Sequence, residues 1–206
     1  NQNTYPNWLG DVTALQLAEA LKKSNIGWVP PTDKTVGAYN AYWKGATSVV
    51  SKGNGVVTKK QDSFLAYSLI DNEERILSKA ISIHFPKVIS KNDGELSIED
   101  CGESLTEDNL PKDWKNQLVK ILIELKVNNI QHRDIKPDNL MIKDGVIKLI
   151  DFGWAKYIDE EDKVSPPACL GYPYRPSWGW DDNYSMRQII KQMEFNINQK
   201  LEGVIA

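Results

Sequence analysis

The 206-residue sequence holds two cysteines, Cys101 and Cys169, far apart in the chain. A small secreted domain stapled by disulfides carries more, so the thiols point to a reducing, cytoplasmic setting. No apolar run approaches the ~20 residues that cross a bilayer. No signal-peptide pattern is present, although the sequence opens Asn1-Gln2-Asn3 without methionine. A net charge of −3 and a pI near 5.5 supply no excess of positive charge. That removes the general electrostatic reason to bind nucleic acid or an anionic membrane. There is no internal repeat and no low-complexity tract. What remains is an ordinary globular composition, 41% hydrophobic and 26% charged. The length suits one two-lobed unit or two small domains.

Residues 11–24 read as a helix, with Val12, Leu15, Ala18 and Leu21 on one face. Trp28-Val29-Pro30-Pro31 then breaks helical structure. Residues 1–40 are taken as a helical extension whose helix offers a surface to a protein partner. Between Val36 and Val88 the pattern changes to short strands, a hairpin and a helix. Gly53-Asn54-Gly55 sits between Ala46–Val50 and Val56–Lys60, and Asn-Gly between β-branched runs signals a hairpin. Asp71 to Ala80 reads as a helix, and Leu96 to Glu99 as a strand. A longer helix is predicted over 112–128, with Trp114, Leu118, Ile121, Leu122 and Leu125 as its apolar stripe. Two strands follow, Asn139–Ile142 and Val146–Ile150, joined by Asp144-Gly145. A loop rich in Pro, Trp and Gly (166–180) leads to a helix from Asp182.

The chemistry concentrates in His132-Arg133-Asp134-Ile135-Lys136-Pro137-Asp138-Asn139 and, twelve residues past Asn139, Asp151-Phe152-Gly153. Asp134, Asn139 and Asp151 are oxygen-bearing side chains arranged around one hairpin. Magnesium takes oxygen ligands, commonly one or two carboxylates completed by phosphate oxygens. Asn139 and Asp151 bracket the strand pair, so both can address one spot. Asp134, in the loop after a helix, can receive a proton from an attacking hydroxyl. Lys136 can offset charge on a phosphoryl group in flight.

H-R-D-x-K-x-x-N followed by D-F-G resembles the catalytic and metal-binding loops of eukaryotic-type protein kinases. Lys136 resembles the Ser/Thr-directed branch. The resemblance implies an α+β, two-lobed protein-kinase-like fold. A small antiparallel-sheet N-lobe would span 41–99, a hinge 100–103, and a reduced, mostly helical C-lobe 104–206. It implies ATP and Mg2+ (or Mn2+) as cofactors, with Asp134 orienting and deprotonating the acceptor, and with Asn139 and Asp151 holding metal. It also implies a strand lysine paired to a helix glutamate. Lys59 fits, because Val57 then stands where the family places a small apolar residue over adenine; Lys60 is the alternative. Glu73 stands four residues before Leu77, the family spacing, with Glu74 as the alternative. The phosphate-covering loop maps to Gly45-Ala46-Thr47-Ser48-Val49-Val50, with one glycine where the family has three. Gly45, Thr47, Ser48 and Val50 are its nucleotide-contacting candidates. Ile98, Glu99 and Cys101 resemble the back of the adenine pocket and the hinge.

Two departures qualify the resemblance. Gly171-Tyr172-Pro173-Tyr174-Arg175-Pro176-Ser177 resembles the end of the activation segment, but Ser177 replaces its glutamate and Tyr172 its substrate-seating Ser/Thr. Asp182 resembles the aspartate that braces the backbone near His132 and Arg133. The activating charge on Arg133 would come from phosphorylated Ser165 or Tyr157, or from a carboxylate in 159–162. Three functions follow: a Ser/Thr-type protein kinase, a kinase of a sugar or other non-protein hydroxyl, and a nucleotide-binding pseudokinase scaffold. Trp178, Trp180, Tyr172 and Tyr174 motivate the second, since aromatic faces stack on sugars. The degenerate glycine loop motivates the third.

Overall fold

A computed structural model describes residues 43–44, 48–61, 68–163 and 165–205. The helix read over 11–24, and Gly45 and Thr47, lie outside the described residues. The first sheet has five antiparallel strands: β1 (Trp43–Lys44), β2 (Ser48–Gly53), β3 (Val56–Gln61), β4 (Val88–Asn92) and β5 (Glu95–Glu99). Their order is β1-β2-β3-β5-β4. Asn54 (φ 51°) and Gly55 (φ 75°) close the β2–β3 hairpin with the two positive φ values that a tight primed turn requires. Asp144 (φ 51°) and Gly145 (φ 76°) repeat the device between β8 (Leu140–Lys143) and β9 (Val146–Leu149).

Helix α1 (Leu69–Leu77) starts two residues before the predicted Asp71, because the Ser68 hydroxyl caps it by accepting from the Asp71 N–H at 3.1 Å. It buries Ile70, Asn72, Glu73, Ile76 and Leu77. Helix α2 (Trp114–Val127) buries Trp114, Leu118, Ile121 and Leu125, as its stripe predicts. It stops where Asn129 turns left-handed (φ 58°). Helix α3 (Asp182–Ile205) buries Met186, Ile189 and Met193.

Between α2 and α3 lie β7 (Ile130–Gln131), β8, β9 and β10 (Lys156–Tyr157). β6 (Glu103–Ser104) pairs with β8, and β10 with β7. One apolar core runs from Leu96 and Ile98 of the sheet through α1 and α2 to Ile135, Leu140, Ile147, Leu149 and Phe152, and on to Met186 and Ile189. The fold is the α+β, two-lobed arrangement expected, an antiparallel sheet over a reduced helical part. The second part also carries short strands, and these set the loops that matter below.

The chain crosses from the first sheet to β6 through Asp100, Cys101 and Gly102. Gly102 adopts φ 90°, and its N–H donates to the Asp100 carboxylate at 2.9 Å. A Cβ at Gly102 would lie 2.1 Å from the Ile142 carbonyl oxygen, which belongs to β8. No flexible side chain can yield there. Gly102→Ala is therefore expected to cost about 3 kcal/mol, from left-handed strain plus backbone overlap. Urea unfolding reads this directly, and a wild-type midpoint for Gly102→Ala would contradict the close approach.

Candidate active site

The loop from His132 to Asn139 joins β7 to β8; His132, Arg133, Asp134 and Asn139 are buried, whereas Asp138 is exposed. His132, Asp134 and Asn139 are 0%, 3% and 5% exposed. Buried polar groups need partners, and each has them. The N–H groups of His132 and Arg133 donate to the two oxygens of Asp182, at 2.6 and 2.9 Å. Asp182 opens α3, so this helix is what holds the loop. Burial pushes the Asp182 carboxyl above its usual range, against the pull of His132 and the two N–H bonds. The His132 ring meets the Ile150 carbonyl at 3.1 Å and stands edge-on to Phe152 at 4.7 Å. Phe85 packs on the other side of Phe152, at 5.0 Å between centroids.

Asp134 accepts from three residues. Lys136 Nζ approaches its oxygens at 3.0 and 3.3 Å, Asn139 Nδ2 donates to Oδ2 at 3.0 Å, and the Gly171 N–H donates to Oδ1 at 2.5 Å. Asn139 Nδ2 also donates to the Asp134 carbonyl at 2.8 Å. With its nitrogen so engaged, Asn139 has Oδ1 to offer a cation. Gly171 was no candidate in the sequence reading, since a backbone donor leaves no side-chain signature. The glycine before Tyr172 is the signal that could have found it: φ is 65°, and a Cβ would meet the Arg133 and Ile135 carbonyls at 3.4 and 3.5 Å.

The second cluster joins β3, α1 and the Asp151 turn. Lys59 Nζ donates to both Glu73 oxygens, at 2.8 and 2.7 Å, and to Asp151 Oδ1 at 3.2 Å. Glu73 also accepts the Phe152 N–H at 3.1 Å. Strand alternation decides between the two lysines. Lys59 is 8% exposed on the inner face. Lys60 points outward, its side chain 67% exposed and 3.1 Å from Glu95. Glu74 likewise faces out, accepting from Ser78 at 2.6 Å. Burial alone would favour a neutral Lys59, but Asp151 and Glu73 outweigh it and hold the ammonium above its ordinary range. Burial raises Glu73, with Lys59 opposing. Lys59 holds Asp151 below the usual carboxylate range. Asp151 sits at φ 68°, ψ 65°, a left-handed conformation that Asp tolerates better than most residues.

Among the described residues, no three His, Cys, Asp or Glu side chains gather as a metal cage. One carboxylate at 151 and one amide oxygen at 139 instead fit a magnesium ion whose remaining ligands are phosphate and water.

The other sequence candidates line the sheet side. Val50 lies opposite Lys59, and Val57 opposite buried Ile98. Ser48 stands in β2 opposite Gln61. The Glu99 carboxylate is turned to Lys148 at 3.0 and 3.1 Å, which outweighs the effect of burial and lowers its pKa. Cys101 is 4% exposed, and burial pushes its thiol up to about 12, so it is inert as a nucleophile at neutral pH.

Beyond Asp151, Arg133 donates to the Trp154 carbonyl at 2.7 Å and pairs with Asp162. Arg75 of α1 forks onto Glu160 at 2.8 and 3.0 Å. Tyr172 and Trp178 are 70% and 74% exposed, with Trp178 edge-on to Tyr184 at 5.5 Å. Trp180 lies under the Arg133 guanidinium at 5.9 Å.

A family model described as the protein kinase domain matches residues 56–176, more than half of the chain. Cyclin-dependent kinase-like 5 of Homo sapiens is 38% identical over 79 residues, 32% of this chain and 8% of that protein. A probable serine/threonine-protein kinase of Dictyostelium discoideum is 46% identical over 59 residues, covering 28% and 12%. The dual specificity protein kinase zak2 of the same organism is 26% identical over 132 residues, covering 57% and 21%. The chain thus spans less than a quarter of the length of each of these relatives.

Proposed function

This chain belongs to the protein kinase family, and we propose that it transfers the γ-phosphoryl group of ATP to a Ser/Thr hydroxyl of a protein. The observation that carries this reading is Asp134 held by Lys136, Asn139 and the Gly171 N–H, together with the Lys59–Glu73–Asp151 cluster. Asp134 orients the acceptor hydroxyl and takes its proton. Lys136, beside Asp134, meets charge developing on the transferred group. Lys59, kept cationic and fixed by Glu73, reaches the ATP phosphates. Asn139 Oδ1 and Asp151 would hold Mg2+, which neutralises charge on the β- and γ-phosphates. Positioning and electrostatics supply most of the rate in such a loose transition state. Ile98, Val57 and the backbone at Glu99 and Cys101 would receive adenine. Gly45, Thr47, Ser48 and Val50 would cover the phosphates.

The exposed Tyr172 and Trp178 favour one second reading, a carbohydrate hydroxyl as acceptor. Tyr172 follows the residue bonded to Asp134, and both rings are open to stack on a sugar. The complete set of Lys59, Glu73, Asp134, Asn139 and Asp151 weighs against a scaffold without turnover.

Radiolabelled ATP with Mg2+, offered with a Ser/Thr peptide library and separately with a panel of oligosaccharides, tests these readings. Label on peptide Ser or Thr is expected. Label on sugar alone would replace the protein acceptor with the carbohydrate. Nucleotide binding with no label in either panel would leave the scaffold.

A further inference from the structure

Helix α1 and the turn after Asp151 meet along a polar seam that the site described above does not use. Asn72, adjacent to Glu73, is 4% exposed. Its Nδ2 donates to the Gly153 carbonyl at 2.8 Å and to the Ala155 carbonyl at 2.7 Å. Its Oδ1 accepts from Arg75 Nη2 at 2.9 Å. Both amide hydrogens and the amide oxygen are therefore committed, which fixes the orientation of the group. Arg75 is fixed in turn. Its fork rests on Glu160, its guanidinium lies 5.0 Å over the Tyr157 ring, and its carbonyl accepts from the Tyr157 hydroxyl at 3.4 Å.

The spacing gives the seam its meaning. Glu73 holds the Phe152 N–H from one side, and Asn72 holds the carbonyls of Gly153 and Ala155 from the other. Two neighbouring residues of α1 thus clamp the turn that begins at Asp151. Few other side chains can do this. A carboxylate at position 72 would face two carbonyl oxygens, and an apolar side chain would leave both without that donor.

We propose that Asn72 is a positioning residue for phosphoryl transfer. Its amide locks the Asp151 turn to the helix bearing Glu73, and the Arg75–Glu160 pair sets how that amide points. The Lys59–Glu73–Asp151 cluster stays in register through this lock. The rate consequence rests on the kinase reading; the conformational consequence does not.

The near-isosteric variant Asn72→Asp is the test, read two ways. Hydrogen exchange of residues 151–157, without nucleotide, is expected to accelerate about tenfold or more. The Mg2+ concentration giving half-maximal transfer is expected to rise about 10–100-fold. A smaller folded fraction would lower the rate without moving that concentration. Wild-type exchange in Asn72→Asp would overturn the proposal. So would faster exchange with an unmoved magnesium requirement in an active enzyme, since the seam would then be structural alone. Faster exchange in a chain whose wild type labels no acceptor would leave the lock standing and sink the kinase reading. Should Asn72→Asp fail to fold, Glu160→Ala decides: accelerated exchange over 151–155, which leaves out the Tyr157 N–H that Glu160 itself accepts, supports the lock, and unchanged exchange there overturns it.

Discussion

Asp134→Asn is expected to slow phosphoryl transfer by about 10²–10⁴-fold while nucleotide affinity stays near wild type. The change removes the base while keeping the shape of the side chain, because Asn matches Asp in size. It also has a structural price. The Asp134 oxygens accept from Lys136, Asn139 and the Gly171 N–H, all donors. An amide offers them one oxygen and confronts one of them with an NH2 group. One buried donor then loses its acceptor, which costs about 1–3 kcal/mol. The expected signature is a large fall in kcat, a KM for ATP within about threefold of wild type, and a modest drop in unfolding midpoint. A variant that retains a tenth or more of wild-type kcat would remove Asp134 from the proton-accepting role.

Lys59→Met should have an effect of similar size by a different route. It deletes the one cation paired with Glu73 among the described residues and removes the Lys59 contact from Asp151. Loss of one fixed donor to transition-state charge costs roughly 10²–10³-fold in kcat. Stability falls too, because breaking a buried pair leaves a charge uncompensated. Glu73 limits that loss by taking up a proton. Its carboxyl is already raised by burial, and without Lys59 it rises further. The sign follows: a carboxyl whose folded pKa exceeds its unfolded value contributes stability on the acid side and loses it as pH rises through the folded value. The variant should therefore be closest to wild type on the acid side and fall behind as pH rises. Lys60→Met is the control. Its surface pair with Glu95 is worth about 1 kcal/mol or less, and activity should stay within about twofold. Equal losses in the two variants would mean that the inner lysine has no special role.

The two loops at the centre of the site were legible in the sequence because their side chains are distinctive in type and spacing. An Asp, an Asn and an Asp at those spacings advertise themselves. The helices were legible in outline, since Leu118, Ile121 and Leu125 repeat at helical spacing, whereas the first turn of α1 depended on the Ser68 cap. Choosing Lys59 over Lys60 required Val57 and the family resemblance; the strand's alternation then explains why one faces the core. Asn72 and Gly171 were not legible. Both act on or through backbone groups, which every residue carries, so their identity speaks only after the chain is folded. The Arg133–Asp162 contact lay between: a carboxylate in 159–162 was one option beside a phosphorylated Ser165 or Tyr157, and only the path of the segment singles out Asp162.

The Asn54-Gly55 turn touches none of the reactive groups, yet it works as their ruler. β3 presents one lysine inward and the next outward, so lengthening that two-residue connection by a single residue, with the strand sliding to absorb it, would swap the strand's faces and offer Thr58 where Lys59 now stands. The two positive φ values already narrow the residue types at the tip, and the alternation of β3 makes its length just as strict, so the spacing of a surface hairpin sets which side chains face inward.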